Sequence, residues 1–400
     1  MFIRIRKEPL GYYLFDRDSR AQQFIEDTGQ DFLSGNRAEI LSLLQSYVPG
    51  FKPGTSYEIL PPKNQDLSLS APIGMYLEIS GVCNMDCSHC YKHEPRTCIE
   101  PELEHYKALL TELREMGVFE IRICGNEPTT SPWLDEIVHH AKELNFYVGI
   151  NTNAYFGKKT QDRLIALQPN FIAISVDGNK DTHDSIRRDG SYARAISFLE
   201  RLGQTKIKRR INTVVSKQTA SVIGHVAELA DRFGSDVSYL PFRPVGKHAD
   251  FNQENAIDSA IMHQVVQEIG NLRIAHPGIT LLTYFDVLGE KATYHHSMDF
   301  NSPCPARKNG FIAFSGDFFP CDFLRFSGDT YFCGNVFEQG FETLWRNSTT
   351  LRGFQKLEHV KCKKSDHYMK KCYGGCISGA ISSTGGPDDQ LCFVRTESCC

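Results

Sequence analysis

From Met75 onward the chain alternates short apolar runs with longer amphipathic stretches, and this alternation restricts the fold more than any other feature of the sequence. The runs MYLEI (75–79), FEIRIC (119–124), FYVGIN (146–151), FIAISV (171–176), INTVV (211–215) and VSYLPF (237–242) read as strands. Stretches near 101–116, 132–144, 159–167, 192–203, 219–233 and 255–273 have helical spacing. Strand–helix alternation of this kind predicts βαβ units and a parallel sheet. Six such strands suit an open doubly wound sheet or a partial barrel, and both place ligands at the C-terminal strand ends.

Ahead of this region, FIRIRK and GYYLF flank Glu8-Pro9-Leu10-Gly11 and predict a hairpin. AEILSLLQSYV (38–48) has helical spacing, and FKPGTSYEILPPKNQ, rich in Pro and Gly, reads as a linker. Residues 1–70 are therefore expected to form a small α+β unit, 71–275 the strand–helix domain, and 276–400 a third region rich in cysteine.

The cysteines carry the chemistry. There are 14, with Cys83, Cys87 and Cys90 close together, Cys98 and Cys124 isolated, and none between 125 and 303. The N-terminus MFIRIRKEPLGYY lacks an apolar run followed by small residues, and no run reaches the roughly 18 apolar residues of a membrane span. A cytoplasmic location is expected, where so many thiols point to metal or redox chemistry rather than disulfides. Lys and Arg total 44 against 48 Asp and Glu, a net charge of −4, so neither nucleic acid nor a membrane is expected as a partner.

Cys83-x3-Cys87-x2-Cys90 falls in the loop after the first strand. Three thiolates this close can hold three irons of a cubane cluster and leave the fourth iron open. Structural zinc is the competing reading, but it wants two pairs of ligands and the second pair is missing. With its position after the first strand, this motif resembles that of the radical S-adenosylmethionine (SAM) superfamily, and His89 takes the aromatic place before the last cysteine. The resemblance covers about 75–250. It implies a partial (β/α)6 barrel and a 4Fe–4S cluster whose open iron chelates SAM. Reductive cleavage of SAM then gives a 5′-deoxyadenosyl radical that abstracts hydrogen from substrate.

Other segments match in order. CGNEP (124–128) resembles the Gly-Gly-Glu-Pro segment, with Asn126 replacing the second glycine; Gly125 would let the backbone approach SAM and Glu127 would accept from its ammonium. NTNA (151–154) resembles the family's Thr-Asn-Gly and brings in Asn153. In ISVDG (174–178) and twelve residues beyond Ser175, the resemblance assigns SAM contacts to Ser175 and Arg187. Arg243, closing the sixth strand, is a candidate to grip a carboxylate; KIKRR (206–210) reads as a solvated edge or as a docking site for an acidic electron donor.

The second cysteine group runs Cys304-x11-Gly316-x4-Cys321, then CGNVFEQGFETLW (333–345), Cys362, Cys372-x3-Cys376 and Cys392. It resembles the SPASM extension, which binds auxiliary iron–sulfur clusters, with six of its seven cysteines present. By that resemblance Cys362, Cys372 and Cys392 hold the distal cluster with Asp366 in place of the missing thiolate. Cys304, Cys321 and Cys376 hold the proximal cluster, with Cys333 as a candidate fourth ligand or the iron left open. Asp322, next to Cys321, matches an aspartate that acts as a general base in sulfatase maturases. Cys98 and Cys124 read as structural, and Cys399 and Cys400 as a frayed tail.

The expected activity is hydrogen abstraction from a peptide, forming a thioether or carbon–carbon crosslink in a ribosomally made peptide. The N-terminal unit loosely resembles a module that adds a leader peptide as an extra strand. A flavodoxin or ferredoxin-type protein would supply the electron. The alternatives are oxidation of Ser or Cys to formylglycine, as in sulfatase maturases, and a binding protein in which the clusters only support the fold.

Overall fold

A computed structural model describes residues 2–8, 11–18, 20, 22–26, 37–47, 51, 55–60, 69–92, 101–246, 254–283, 306, 308–326 and 328–355. Cys98, Cys304, Cys362, Asp366, Cys372, Cys376, Cys392, Cys399 and Cys400 lie outside them.

The hairpin forms as expected from β1 (Phe2–Glu8) and β2 (Gly11–Asp16), with Glu8 opposite Gly11. Two strands were not foreseen. β3 (Gln22–Glu26) pairs antiparallel with β2, and β4 (Ser56–Leu60) runs parallel to β1 inside the expected linker. The linker reading is corrected there. Its prolines and glycine flank a run whose Tyr57 and Ile59 pack against a small core, so they mark the ends of a strand.

This four-stranded sheet, in order β3-β2-β1-β4, has two buried faces set by the period of two. Ile3, Ile5, Tyr12, Leu14 and Ile25 meet Ile40 and Leu44 of α1 (Arg37–Tyr47). Tyr13, Phe15 and Phe24 join the main core, and Phe15 stacks on Phe119 with ring centroids 5.1 Å apart. Two arginines complete the joint. Arg6 donates to the carbonyls of Ala71, Pro72 and Gly117 at 2.8–3.0 Å, and Arg4 to that of Val118 at 2.8 Å.

The six predicted strands are β5 (Gly74–Glu78), β6 (Glu120–Cys124), β7 (Tyr147–Thr152), β8 (Phe171–Ser175), β9 (Lys208–Val215) and β10 (Asp236–Pro241). They are neighbours in chain order and all parallel. Beyond β10 lies β11 (Leu281–Thr283); beyond β5 lie β12 (Asn309–Ile312), β13 (Asp317–Phe319) and β14 (Gly334–Asn335), so the cysteine-rich region begins as an extension of the same sheet.

Alternate strand residues bury an aliphatic face, Met75, Leu77, Ile121, Ile123, Val148, Ile150, Ile172, Ile174 and Ile211 among them. Helices α2 (Leu103–Met116), α3 (Leu134–Glu143), α4 (Lys158–Leu167), α6 (Ser191–Leu202) and α7 (Ile223–Phe233) add Leu110, Leu113, Ile137, Leu164, Leu199 and Val226 to that core. A further short helix, α5 (Lys180–Ile186), follows β8; Asn179 caps it by accepting from Thr182 N at 3.0 Å. The opposite face carries polar residues, including Glu78, Arg122, Ser175 and Arg210. No helix among the described residues is long and apolar enough to cross a membrane.

Candidate functional site

The polar residues picked out by the sequence converge at the C-terminal ends of β5 to β8, where parallel strands release their loops. The cysteine loop after β5 is held at several points. Asn84 Nδ2 donates to the Tyr155 carbonyl at 2.8 Å, and both Ser88 N and Ser88 Oγ donate to that of Ile186, at 2.9 and 3.1 Å. Cys90 N closes a turn on the Cys87 carbonyl at 3.1 Å.

Cys83, Cys87 and Cys90 are free thiols within electrostatic reach of one another. Burial raises the Cys83 thiol to about 11 and the Cys87 thiol to about 12. Thiolates in that setting need a strong positive partner, which is what a metal cluster provides. Among the described residues no three Cys, His, Asp or Glu side chains are spaced to cage a single ion. Three thiolates suit three corners of a cubane with the fourth iron open, whereas structural zinc wants four ligands, so the donor set fits a cluster better than zinc.

Glu127 is fully buried at the end of β6. Oε1 accepts from Thr129 N, Thr129 Oγ1 and Thr152 Oγ1 at 3.1, 2.8 and 2.8 Å, and Oε2 accepts from Asn153 N at 2.8 Å. Burial raises its carboxyl pKa despite these donors. The side chain therefore joins the β6 loop to the end of β7, a structural task that its motif alone did not reveal. Asn153 carries the link onward: Nδ2 donates to Asn84 Oδ1 at 2.8 Å and faces Cys83 Sγ at 3.7 Å. Gly125 has φ +145°, and a Cβ there would stand 3.1 Å from the Ser80 carbonyl oxygen, so the turn itself demands glycine.

Across the site, Arg187 Nε donates to Asp177 Oδ2 at 2.6 Å. Burial works against the Asp177 charge, yet Arg187, with His89 and His183, holds its carboxyl down to about 2. His89 Nε2 lies 3.7 Å from the same oxygen, and burial lowers this imidazole to about 4. His89 Nδ1 is buried with no hydrogen-bond partner, an orphaned polar atom beside the cysteines. Ser175 ends β8, half-buried on this rim. The motif ISVDG by itself assigns no role to its Asp; in the structure Asp177 organises Arg187, the histidines and, accepting from Val214 N at 2.9 Å, β9.

A second polar group links the cysteine loop to the C-terminal region. Tyr91 donates to Asp322 Oδ2, Lys92 pairs with Glu78 Oε1, and Arg325 NH1 pairs with Glu78 Oε2 at 2.8 Å. These two cations hold the Glu78 carboxyl below its usual value against the effect of burial. Asp322 Oδ1 is buried without a partner. The residue after Cys90 thus touches the residue after Cys321. Cys321 packs beside Ala306, Leu324 and Phe354, while Cys333 lies in the main core and donates to the Tyr331 carbonyl at 3.6 Å. Cys124, expected to be structural, is half-buried near Lys92, and burial raises its pKa.

The site's geometry agrees with what comparison with known proteins finds. Residues 77–230 match the Radical SAM superfamily and residues 304–376 match SPASM, an iron–sulfur cluster-binding domain. The chain carries a radical SAM domain followed by a SPASM domain. This radical SAM enzyme takes a 4Fe–4S cluster with SAM, and auxiliary clusters in the SPASM domain. It is 27% identical over 337 residues to the mycofactocin maturase of Mycobacterium ulcerans, covering 80% of this chain and 88% of that one. It is also 26% identical over 345 residues to an AdoMet-dependent heme synthase of Methanosarcina barkeri, covering 82% and 97%. Streptococcus suis SuiB bound to S-adenosylmethionine shares the fold over 98% of both chains, with TM-score 0.76 and 18% identity. The structure of anSMEcpe with AdoMet and the Cp18Cys peptide superposes over 82% of this chain and 95% of that one, with TM-score 0.65 and 18% identity.

KIKRR lies elsewhere. Lys208, Arg209 and Arg210 begin β9, at the end of the sheet opposite the cysteines. An eight-residue strand spans roughly 25 Å at about 3.3 Å per residue, which places this basic edge far from the cluster loop.

Proposed function

We propose that this radical SAM enzyme modifies a ribosomally made peptide, forming a thioether or carbon–carbon crosslink. The observation that carries the reading is the N-terminal sheet joined to the barrel. Its edge strand β3 pairs only with β2 among the described residues, leaving a strand edge suited to an incoming extended peptide. The fold likeness to SuiB extends over this unit too, and one SuiB structure is bound to its precursor peptide SuiA. The mycofactocin maturase is a second relative named for maturation.

Once bound, the cluster and SAM supply a carbon radical able to abstract hydrogen from substrate. The protein's own residues do the rest. Cys83, Cys87 and Cys90 hold the cluster, and His89, Gly125, Glu127, Asn153, Ser175 and Arg187 shape the SAM pocket. Cys304, Cys321, Cys376 and either Cys333 or an open position, together with Cys362, Cys372, Cys392 and Asp366, serve the auxiliary clusters. The electron comes from a flavodoxin or ferredoxin-type donor docking on the cysteine-loop side rather than at KIKRR.

The test is incubation of the reconstituted enzyme with short peptides encoded beside its gene, read by mass spectrometry. A product lighter by two hydrogens, with the new bond located by fragmentation, supports crosslinking. Outward and inward N–H groups alternate along β3, so one of Gln22→Pro and Gln23→Pro removes an outward donor, Gln22→Pro also taking the acceptor of the Tyr13 hydroxyl. That variant should lose peptide binding and keep uncoupled SAM cleavage; unchanged peptide affinity in both would contradict strand addition.

A specific observation favours a second reading, oxidation of a Ser or Cys side chain to formylglycine. Asp322 Oδ1 is buried and unpartnered, while Oδ2 is fixed by Tyr91, a geometry suited to taking a substrate proton. A peptide product carrying an aldehyde, and lost in Asp322→Asn, would select it.

A further inference from the structure

The barrel has a second polar end. At the N-terminal ends of β7 to β10 lies a cavity of about 250 Å³, lined by Arg20, Lys208, Arg209 and Arg210 with Asp236 as the one acid in its lining. Its floor is aromatic: the Phe171 ring lies directly over Gly149, where a Cβ would come within 2.0 Å of it. Around that ring stand three guanidinium groups, those of Arg210, Arg122 and Arg20, at 5.3, 5.7 and 6.0 Å from the centroid.

These cations are unevenly satisfied. Arg122 donates Nε to Glu120 Oε1 at 2.5 Å and NH1 to Tyr76 Oη at 2.6 Å. Arg20 uses only Nε, on Glu120 Oε2 at 2.9 Å. Arg209 donates its terminal nitrogens to the carbonyls of Leu202 and Gly234 at 2.9 and 3.1 Å. The Arg210 side chain makes no hydrogen bond or ion pair among the described residues, and its Nε is buried. Arg210 is half-buried, and its buried Nε has no acceptor, so an anion reaching this guanidinium from the cavity would gain charge-assisted contacts.

We propose that this cavity binds a phosphate group, free or carried by a small ester. With Glu120 shared between Arg20 and Arg122, the cations Arg20, Arg122, Lys208, Arg209 and Arg210 still outnumber the carboxylates Glu120 and Asp236, an excess that a phosphate dianion offsets better than a single carboxylate does. The planar fork of Arg210 and the free nitrogens of Arg20 suit bidentate contact with phosphate oxygens. The cavity is distinct from the SAM site, which lies at the other strand ends. It also straddles a seam, because Arg20 belongs to the N-terminal unit while the remaining cations belong to the barrel. Lys208 Nζ donates to the Asp18 carbonyl at 3.0 Å, and Arg17 NH1 to Asn145 Oδ1 at 2.9 Å, along the same seam. Phosphate there would fasten the β2–β3 connection to the barrel floor.

The experiment is titration of the full chain with inorganic phosphate at constant ionic strength, followed by calorimetry, with sodium acetate and chloride as controls. Hydrogen exchange reports on the seam. Saturable phosphate binding and slowed exchange at 17–20 and 208–210 are expected. Arg210→Gln and, separately, the exposed Lys208→Gln should weaken binding roughly ten- to a hundredfold, the loss of one charge-assisted contact. Absence of saturable binding, equal binding of acetate, or unchanged affinity in a folded Lys208→Gln and Arg210→Gln pair would overturn the proposal.

Discussion

At the scale of single residues, the site is governed by buried charges that hold one another. His183 is fully buried, and its Nδ1 accepts from Asp177 N at 3.0 Å, so the folded protein keeps this ring neutral. Burial, with Arg187 nearby, lowers its pKa to about 4. Between that value and the usual 6.5 the unfolded chain binds a proton that the folded one refuses. Stability of the metal-free protein should therefore fall as pH drops through this window, by about 3 kcal/mol from His183 alone. Urea unfolding between pH 7 and 4.5 measures it. His183→Asn, which keeps an acceptor near Nδ1, should flatten the slope. Asp177 acts in the same direction at lower pH: depressed to about 2, its contribution is lost as pH falls from the usual carboxylate range through that value. A second expectation concerns Glu127. Glu127→Ala deletes an acceptor shared by four donors, so it should lower the melting temperature as well as weaken SAM binding by roughly tenfold or more. Calorimetry of Glu127→Ala showing unchanged SAM affinity would confine this residue to bracing the loops.

At the scale of elements, Arg4 and Arg6 decide how the first sheet meets the barrel. Arg6→Leu strips partners from three carbonyls and removes a guanidinium 4.9 Å from the Phe119 centroid. It should cost about 3 kcal/mol or more and loosen the N-terminal sheet before the barrel melts. Faster exchange at 3–6 and 117–119, with the barrel strands still protected, would show this. These two arginines also mark the limit of sequence reading. FIRIRK gave a strand by alternation, but an alternating Arg reads as a solvent face, and only the fold shows that the face is buried against another unit. The barrel strands were legible because their aliphatic faces repeat every second residue between helices of ordinary length. Ser56–Leu60 was missed because Pro and Gly crowd both its ends and its partner, β1, lies more than fifty residues away. The cysteines and Glu127 were legible as motifs; Asp177 and the Glu78–Lys92–Arg325 group were not, since a buried charge announces itself only through its partners.

At the scale of the whole molecule, one sheet joins three tasks. Its β5 to β8 ends present the cysteine loop, its β12–β14 edge carries the start of the cluster-binding extension, and its floor receives the N-terminal sheet. The contact of Tyr91 with Asp322 brings the cysteine loop beside the start of the C-terminal cysteine region. Under the proposed function, Cys83, Cys87 and Cys90 hold the cluster at which SAM is cleaved, separately from the auxiliary clusters. The most direct test of this assignment is anaerobic reconstitution of the parent and of the triple variant Cys83→Ala, Cys87→Ala, Cys90→Ala, then SAM and dithionite, with iron content and 5′-deoxyadenosine measured together. 5′-Deoxyadenosine is expected from the parent and none from the variant, which should retain its auxiliary iron. A triple variant that still produced 5′-deoxyadenosine would contradict the assignment.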